Sequence, residues 1–544
     1  MNRGLRIFSL VALLALLVGC APTAAPAPAA PAAEAPAAAP AAPAAPAAAP
    51  AAPAAPAEAA WDSSKCIKYA VTEVGGEADV LDAAIIVSEM ANLITNQPFN
   101  RLLNPNNYFE LQPELATSWE SNEDATEWTF HLRDDVYFHD GKKMTSADVV
   151  WTFKRLIDPA VGSEALGVLT MLTPEGIIAV DDYTVKFVTA EPSAELPAFI
   201  GTENTRIVQE GATKETLQFT GMGTGPWIPI DYQPGQQPIK FKKNPNYWQE
   251  GLPKAECLEV YGIPEDTSRL ASLQAGQIDI MSASFATASV IEKDPKLVLA
   301  PTASSSSLTL SMWVDTPPFD KLEVRQALKK LIDREAMVKT ALFGYGSVGN
   351  DNPVPPASPF AYMSAPPPRD VEGAKELLAK AGYGPDNPLK LDLYTSDGTS
   401  GFVQMAQLFK SQAAEAGVDV NVLIGPAGEY WDNVWLKQPF VTSTWLPRPP
   451  AEGLALIYRQ NSGINETHFY RPDFDALLDQ ANANPDADER IELYRQAQKL
   501  LAEEGGVIIP MFINHLYAYR AGCTGFEPHI QNTHIDFVNV VCEP

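Results

Sequence analysis

The hydrophobic and polar positions fall into clear periods over residues 113–157. Trp128, Phe130 and Leu132 alternate with Thr129 and His131, the period of two that predicts a half-buried strand. Val136 and Phe138 begin a second short strand, ended by the turn sequence His139-Asp140-Gly141-Lys142. Thr145 stands three residues before Asp148, so its hydroxyl caps a helix whose positive N-terminal end Asp148 favours. Val149, Val150, Phe153, Leu156 and Ile157 give that helix one apolar face. The unit reads as strand, strand, turn and capped helix.

The same patterns recur downstream. Cys66–Val71 and Val185–Val188 read as strands, and the helix through Leu270 is stopped by Gly276, which adopts a left-handed cap cheaply. Apolar residues at 324, 327, 328, 331 and 332 line one face of a helix over 324–334. Further helices are predicted near 370–382, 402–416, 473–482 and 487–504, with strands at Leu389–Tyr394 and Val418–Leu423 between them. Alternating strands and helices predict an α/β region.

The N-terminus is different. Arg3 and Arg6 precede an apolar run, Ile7–Val18, too short for a comfortable membrane span. Leu17-Val18-Gly19-Cys20 resembles a lipobox, which would make Cys20 the acylated first residue of the mature chain. An ordinary signal peptide with an incidental cysteine is the alternative, and the small Gly19 before Cys20 favours lipidation. Export follows either way. Residues 21–60 are almost wholly Ala and Pro, and the frequent Pro blocks helix propagation. They read as a semi-rigid polyproline-like stalk, reaching on the order of 120 Å when extended.

From Trp61 onward the composition is globular. About 480 residues exceed what one hydrophobic core usually serves, so two or three lobes are expected. A formal charge of −28 argues against nucleic acid or an anionic membrane surface as the folded body's partner. Of the five cysteines, Cys66, Cys257, Cys523 and Cys542 remain after Cys20, and three pairings are open. No CxxC or HExxH spacing supports zinc, and an oxidising destination favours two disulfides. Residues 344–349 fit GxGxxG, but they follow a helix and run into Pro353, Pro355 and Pro356, so they read as a loop. No GxSxG elbow or Walker A sequence occurs, His131 and His139 lie within the opening pattern, and Asp181-Asp182 reads as a solvated turn. None of this points to an enzyme.

Three segments, PELATSWE (113–120), TEWTFHLRDDVYFHDG (126–141) and TSADVVWTFKR (145–155), resemble the signature of the extracellular solute-binding proteins of family 5. Gly223-Thr224-Gly225-Pro226-Trp227 resembles that family's GTGPY turn with Trp for Tyr, and residues 243–248 resemble its RNPDYW. Residues 270–280 and 324–334 match two more of its segments, so the resemblance runs from Cys66 to Pro544. It implies an α/β, type 2 periplasmic-binding-protein fold, bilobal with an extra small lobe. Lobe I would combine residues 61–99, 221–312 and 513–544, lobe II residues 100–220, and lobe III residues 313–512. The implied function is that of a monomeric substrate-binding lipoprotein of an ABC importer, held outside the cytoplasm by lipidated Cys20 and needing no cofactor. It would capture a small polar solute (oligosaccharide, opine-like acid or peptide) between two lobes and deliver it to a membrane permease. A secreted hydrolase and a non-transport lipoprotein, such as a chaperone or receptor subunit, are the alternatives.

The resemblance also implies site residues. Val87, Ser88 and Glu89 fall where relatives bring lobe I to the cleft. Of the ten tryptophans, Trp119, Trp128, Trp151 and Trp248 belong to the core signatures, Trp227 to the hinge-proximal turn, and Trp61 begins the fold. Trp313, Trp431, Trp435 and Trp445, with Tyr430, lie in segments that approach the cleft, where an aromatic offers apolar contact and a polar handle. Peptide-binding relatives follow the Trp equivalent to Trp445 with an Asp that takes the peptide's amino group; here the position holds Arg448. Its guanidinium either faces the cleft beside Trp445 and binds an anionic or hydroxyl-rich group, or pairs with a lobe acid and shapes the loop between Pro447 and Pro449. The implied disulfides are Cys66–Cys257 and Cys523–Cys542.

Overall fold

A computed structural model of the chain describes residues 61–86, 88–531 and 533–543. The expectations for the leader, Cys20, the Ala/Pro stalk and Val87 lie outside the described residues.

Two long strands, Leu297–Met312 and Val507–Arg520, pair antiparallel from Leu297 opposite Arg520 to Ser311 opposite Val507. They form the middle of an eleven-stranded mixed sheet. Val507–Phe512 is buried throughout, the run of apolar residues expected of a strand covered on both faces. The ladder is irregular between Ala303 and Ser307, where residues 304–306 bulge out of register.

On one side of this pair the sheet continues through Ile280–Ala283, Cys66–Val71, Cys257–Gly262, Ile239–Lys243 and Trp227–Pro229. Tyr69, Val260, Phe241, Trp227 and Phe537 fill the core beneath. On the other side it continues through Phe440–Trp445, Lys390–Ser396 and Asp419–Gly425, covered by helices such as Phe402–Ala414 and Leu322–Lys330. A separate four-stranded antiparallel sheet (Ala116–Ser121, Glu127–Leu132, Thr184–Thr189, Leu172–Asp181) carries helix Ser146–Leu156 on its apolar face. Phe187 lies between Phe130 and Phe153 at centroid distances of 5.5 and 4.9 Å. Disulfides join Cys66 to Cys257 and Cys523 to Cys542, each pair directly opposite in register on neighbouring strands.

Several local expectations are corrected. Residues 136–138 form no strand; Tyr137 makes an isolated bridge to Lys143 around a turn closed by Gly141 at φ 88°. The cap expected of Thr145 and Asp148 is kept: Thr145 is the N-cap of a capping box in which the Asp148 carboxylate accepts from the Thr145 N–H at 2.8 Å. Trp151 is not core: it lies more than a third exposed, with Nε1 donating to the Ala212 carbonyl at 3.0 Å. The helix expected over 324–334 ends at Lys330, because Asp333 caps a second helix, Arg334–Ala341, through the Ala336 N–H. The expected loop at 344–349 contains a strand, Gly346–Val348, paired with Met511–Ile513.

The opening pattern and the GTGPW turn lock together through His139. Its N–H donates to the Gly223 carbonyl at 2.9 Å, Nδ1 accepts from the Gly223 N–H at 3.4 Å, and Nε2 meets the Gly225 carbonyl at 3.0 Å. Gly225 must be glycine here, since a Cβ would lie 2.5 Å from the Pro98 carbonyl carbon. This bonding requires neutral imidazole with Nδ1 as acceptor, and burial pushes the His139 pKa down to about 4. Below the ordinary pKa of about 6.5 the unfolded chain takes up a proton that the folded chain refuses. Stability linked to His139 is therefore complete above that pH and is lost as pH falls toward 4. Lowering pH from 7 to 5 should depress the melting temperature of the wild type more than that of His139→Gln, measured by calorimetry in matched buffers.

Candidate functional site

Strand Phe440–Trp445 pairs with the long strand up to Ser307 opposite Trp445, then leaves the sheet as Leu446-Pro447-Arg448-Pro449. The fixed φ of three nearby prolines stiffens this loop, and helix Pro450–Tyr458 begins on Pro450. Arg448 is held between them. Its Nε pairs with Glu452 Oε1 at 3.1 Å, Nη1 donates to the Leu446 carbonyl at 3.3 Å, and the guanidinium carbon stands 5.5 Å from the Trp445 ring centroid.

Three neighbouring cavities share Arg448. One of about 480 Å³ lies between Tyr108, Phe109, the bulged Ser304 and Ser305, and the Pro353–Pro355 turn. A second of about 340 Å³ lies over Ser305, Ser307, Trp445 and Tyr458. The third, about 1140 Å³, separates a wall of Arg101, Phe109, Glu203 and His534 from an opposite wall of Leu446, Arg448 and Glu452. The bulge aims hydroxyl groups at this region. Ser304 Oγ donates to the Ile513 carbonyl at 2.7 Å, whereas the buried Ser305 Oγ has no hydrogen-bond partner among the described residues.

The wall opposite Arg448 sets the half-buried Glu203 among buried Arg101 and His534. Glu203 accepts from Asn92 Nδ2 at 2.6 Å and lies 3.7 Å from His534 Nε2. Burial, reinforced by Arg101, His529 and Arg206, pushes the His534 pKa well below its ordinary value, and burial brings His529 down to about 4. Both rings are neutral at pH 7. Arg101 is spent on Asn104 at 2.8 Å and on Glu114. Arg206, wholly buried, bonds Asn92 Oδ1 at 2.7 Å and Thr95 Oγ1 at 2.9 Å, and desolvation lowers its pKa to about 9. Across the cavity, burial raises the pKa of Glu452 against the opposing pull of Arg448.

The sequence-derived residues are not all brought together. Trp445 and Arg448 line the cavities. Ser88 instead caps helix Glu89–Asn96, its Oγ accepting from the Ala91 N–H at 2.8 Å and donating to Asp79 at 2.5 Å, and neither Ser88 nor Glu89 lines the cavities described here. Tyr430 is core: its hydroxyl is satisfied by the Thr442 carbonyl at 2.7 Å, which removes the handle a ligand would use. Trp313 stacks on His468 at 4.3 Å, and Trp431 is exposed against the edge of Trp435. Trp435 and Trp445 both donate to one buried carboxylate, Glu466, at 2.7 and 3.0 Å, and Ser311 Oγ adds a third bond at 2.7 Å.

Sequence reasoning missed Glu203, Glu466 and the serine bulge. The four consecutive serines 304–307 inside a strand were a usable signal; Glu203 and Glu466 sit in stretches without periodicity.

The pattern of bacterial extracellular solute-binding proteins, family 5 (middle), matches residues 110–465. Heme-binding protein A of Haemophilus influenzae is 29% identical over 457 residues, covering 77% of this chain and 82% of that protein. The glutathione-binding protein GsiB of Escherichia coli O6:K15:H31 is 27% identical over 481 residues, covering 84% and 92%. Among solved structures, the unliganded open form of the periplasmic murein tripeptide-binding protein MppA superposes with a TM-score of 0.77 at 23% identity, covering 88% of this chain and 97% of that one. The α/β architecture is that of the type 2 periplasmic-binding proteins.

Glu466 fixes the wall that Trp445 presents. Glu466→Ala would leave two indole N–H groups and a hydroxyl without their acceptor in a dry site, at a cost on the order of 3 kcal/mol. Urea denaturation should show that loss together with changed tryptophan emission, and Glu466→Gln, which keeps one acceptor, should lose less.

Proposed function

The chain belongs to the bacterial extracellular solute-binding proteins, family 5, and on that premise we propose that it captures a small carboxylate-bearing solute on Arg448 and delivers it to the permease of an ABC importer. The observation that carries this reading is the placement of Arg448, common to three cavities and standing over the Trp445 ring. A guanidinium has donors only, and its planar fork matches a carboxylate. Nε and Nη1 are engaged by Glu452 and Leu446, so Nη2 is the donor without a partner among the described residues. Trp445 adds an apolar face beside it. Heme, glutathione and murein tripeptide, which the names of the relatives carry, are all carboxylic acids.

In this reading the folded body moves as three lobes: residues 61–99, 221–312 and 513–544 as lobe I, 100–220 as lobe II, and 313–512 as lobe III. The two long strands serve as the hinge, and closure buries the solute between the lobes. Among the described residues no helix is long and apolar enough to cross a membrane. Acylated Cys20 and the Ala/Pro stalk would hold the body at the outer face of a membrane, where a single copy serves the permease.

Native mass spectrometry of the purified protein should reveal a co-purifying carboxylic acid. Calorimetry with that molecule should show Arg448→Ala losing about 2–4 kcal/mol of binding, a roughly 30- to 1000-fold rise in Kd, with little change in the melting temperature of the empty protein. Unchanged affinity with a lower melting temperature would make Arg448 a loop-shaping residue.

A further inference from the structure

The largest of the three Arg448 cavities opens into a larger space. Val168 and Glu452 line both that cavity and a groove of about 1750 Å³, which runs between residues 167–199 on one wall and 451–494 on the other. The charged groups along the groove are mostly paired within the protein. Glu195 accepts from the Tyr494 hydroxyl at 3.1 Å and pairs with Arg490 at 3.0 Å. Arg459 donates to Asp479 at 2.7 Å, and Glu452 is held by Arg448. Glu191, the remaining charged residue of the groove, is exposed to solvent. Asn482 donates to the Pro192 carbonyl at 3.2 Å, and its own carbonyl accepts from the Ala194 N–H at 2.8 Å. These two bonds and the Glu195–Arg490 pair tie the walls together at one end, so the groove is shaped before anything enters it. What its walls leave uncommitted is apolar surface. Val168, Met171 and Phe199 stand on one wall, and Ala455, Leu456 and Leu478 on the other. Val168 and Leu456 are each more than a third exposed, and covering them removes apolar surface from water.

We propose that this groove takes an extended apolar arm of the solute whose carboxylate lies on Arg448. This rests on the carboxylate reading of Arg448 and narrows the solute to an amphipathic acid. Val168 and Glu452 mark the junction of the two spaces, with the guanidinium on the polar side and the aliphatic walls on the other. The groove exceeds the roughly 300–1000 Å³ of a site for a drug-sized ligand, which leaves room for an arm of many carbons. Each methylene moved from water onto these walls contributes to binding, and the paired charges ask for no polar group in return. The arm is either one alkyl chain or a run of apolar side chains on a peptide, since both present the same surface. Walls that are already joined lose little freedom when the arm enters.

Calorimetry on the full-length protein with two probe series tests this. Hexanoate, octanoate and decanoate keep the carboxylate and lengthen the arm, while trialanine and trileucine change only the side chains. An alkyl arm predicts a gain of roughly 2- to 4-fold per methylene, or about 15- to 250-fold from hexanoate to decanoate. A peptide arm predicts trileucine binding at least about 10-fold more tightly than trialanine. A gain in one series without the other tells which arm the groove takes, and either supports it. The double variant Val168→Thr with Leu456→Gln, at two exposed positions, should cut the gain at least about 5-fold with an unchanged melting temperature. Arg448→Ala should weaken every member by the same factor and leave the gain intact. Equal binding across both series by the wild type, or an undiminished gain in the double variant, overturns the role of the groove without touching that of Arg448. Unchanged affinities in Arg448→Ala, with the gain still lost in the double variant, would remove the carboxylate reading and leave the groove as the site of the arm. Failure of both series to bind the wild type would overturn both.

Discussion

The antiparallel pairing of Leu297–Met312 with Val507–Arg520 is the constraint on which the rest of the molecule depends. This ladder carries the large sheet from one half of the body to the other, and strands on both sides are registered from it. At one end of the ladder Val507–Phe512 is buried throughout, so the pairing there is fixed by burial as well as by hydrogen bonds. The interruption between Ala303 and Ser307 falls at the middle of the ladder, where the chain supplies small hydroxyl residues and no bulky side chain. A bulge there bends the strand and turns Ser304 and Ser305 toward the cavities. The same pairing presents Ser307 to Trp445 and so sets where the Arg448 loop leaves the sheet.

Around that frame, charge is placed where water is scarce. Arg206 and Arg101 are buried cations, and His529 and His534 stay neutral beside them because desolvation and like charge both disfavour protonation. Glu466 is the counterpart on the other wall, a buried carboxylate held by two indoles and a serine. Fixed donors stand in for solvent around these groups, which keeps the walls rigid and the cavity polar at chosen points. Arg448 differs in being only partly committed, on a proline-stiffened loop at the edge of the sheet.

Much of this was legible in the sequence. Alternation at Trp128, Phe130 and Leu132 and the apolar face of Ser146–Leu156 gave the small sheet and its helix, since both depend on local periodicity. Gly276 stops its helix with φ 70°, as a left-handed cap requires. The errors arise where a distant partner or a competing local bond decides. Gly346–Val348 becomes a strand because Met511–Ile513 lies alongside, and the 324–334 helix breaks because the Asp333 side chain caps the next one. Of the residues expected at the cleft, Trp445 and Arg448 line a cavity, while Ser88 and Tyr430 spend their hydroxyls within the protein. Glu203 could not be picked out, because its meaning comes from Asn92 and His534, more than a hundred residues away on either side.

The central claim is that the two sides of the long-strand pair close on a solute held at Arg448. Small-angle X-ray scattering of the protein, stripped of ligand and then saturated with the molecule that co-purifies with it, tests this most directly. The account predicts a smaller radius of gyration and a shorter maximum dimension at saturation, reversed when the ligand is removed. Identical scattering curves at full occupancy would contradict it.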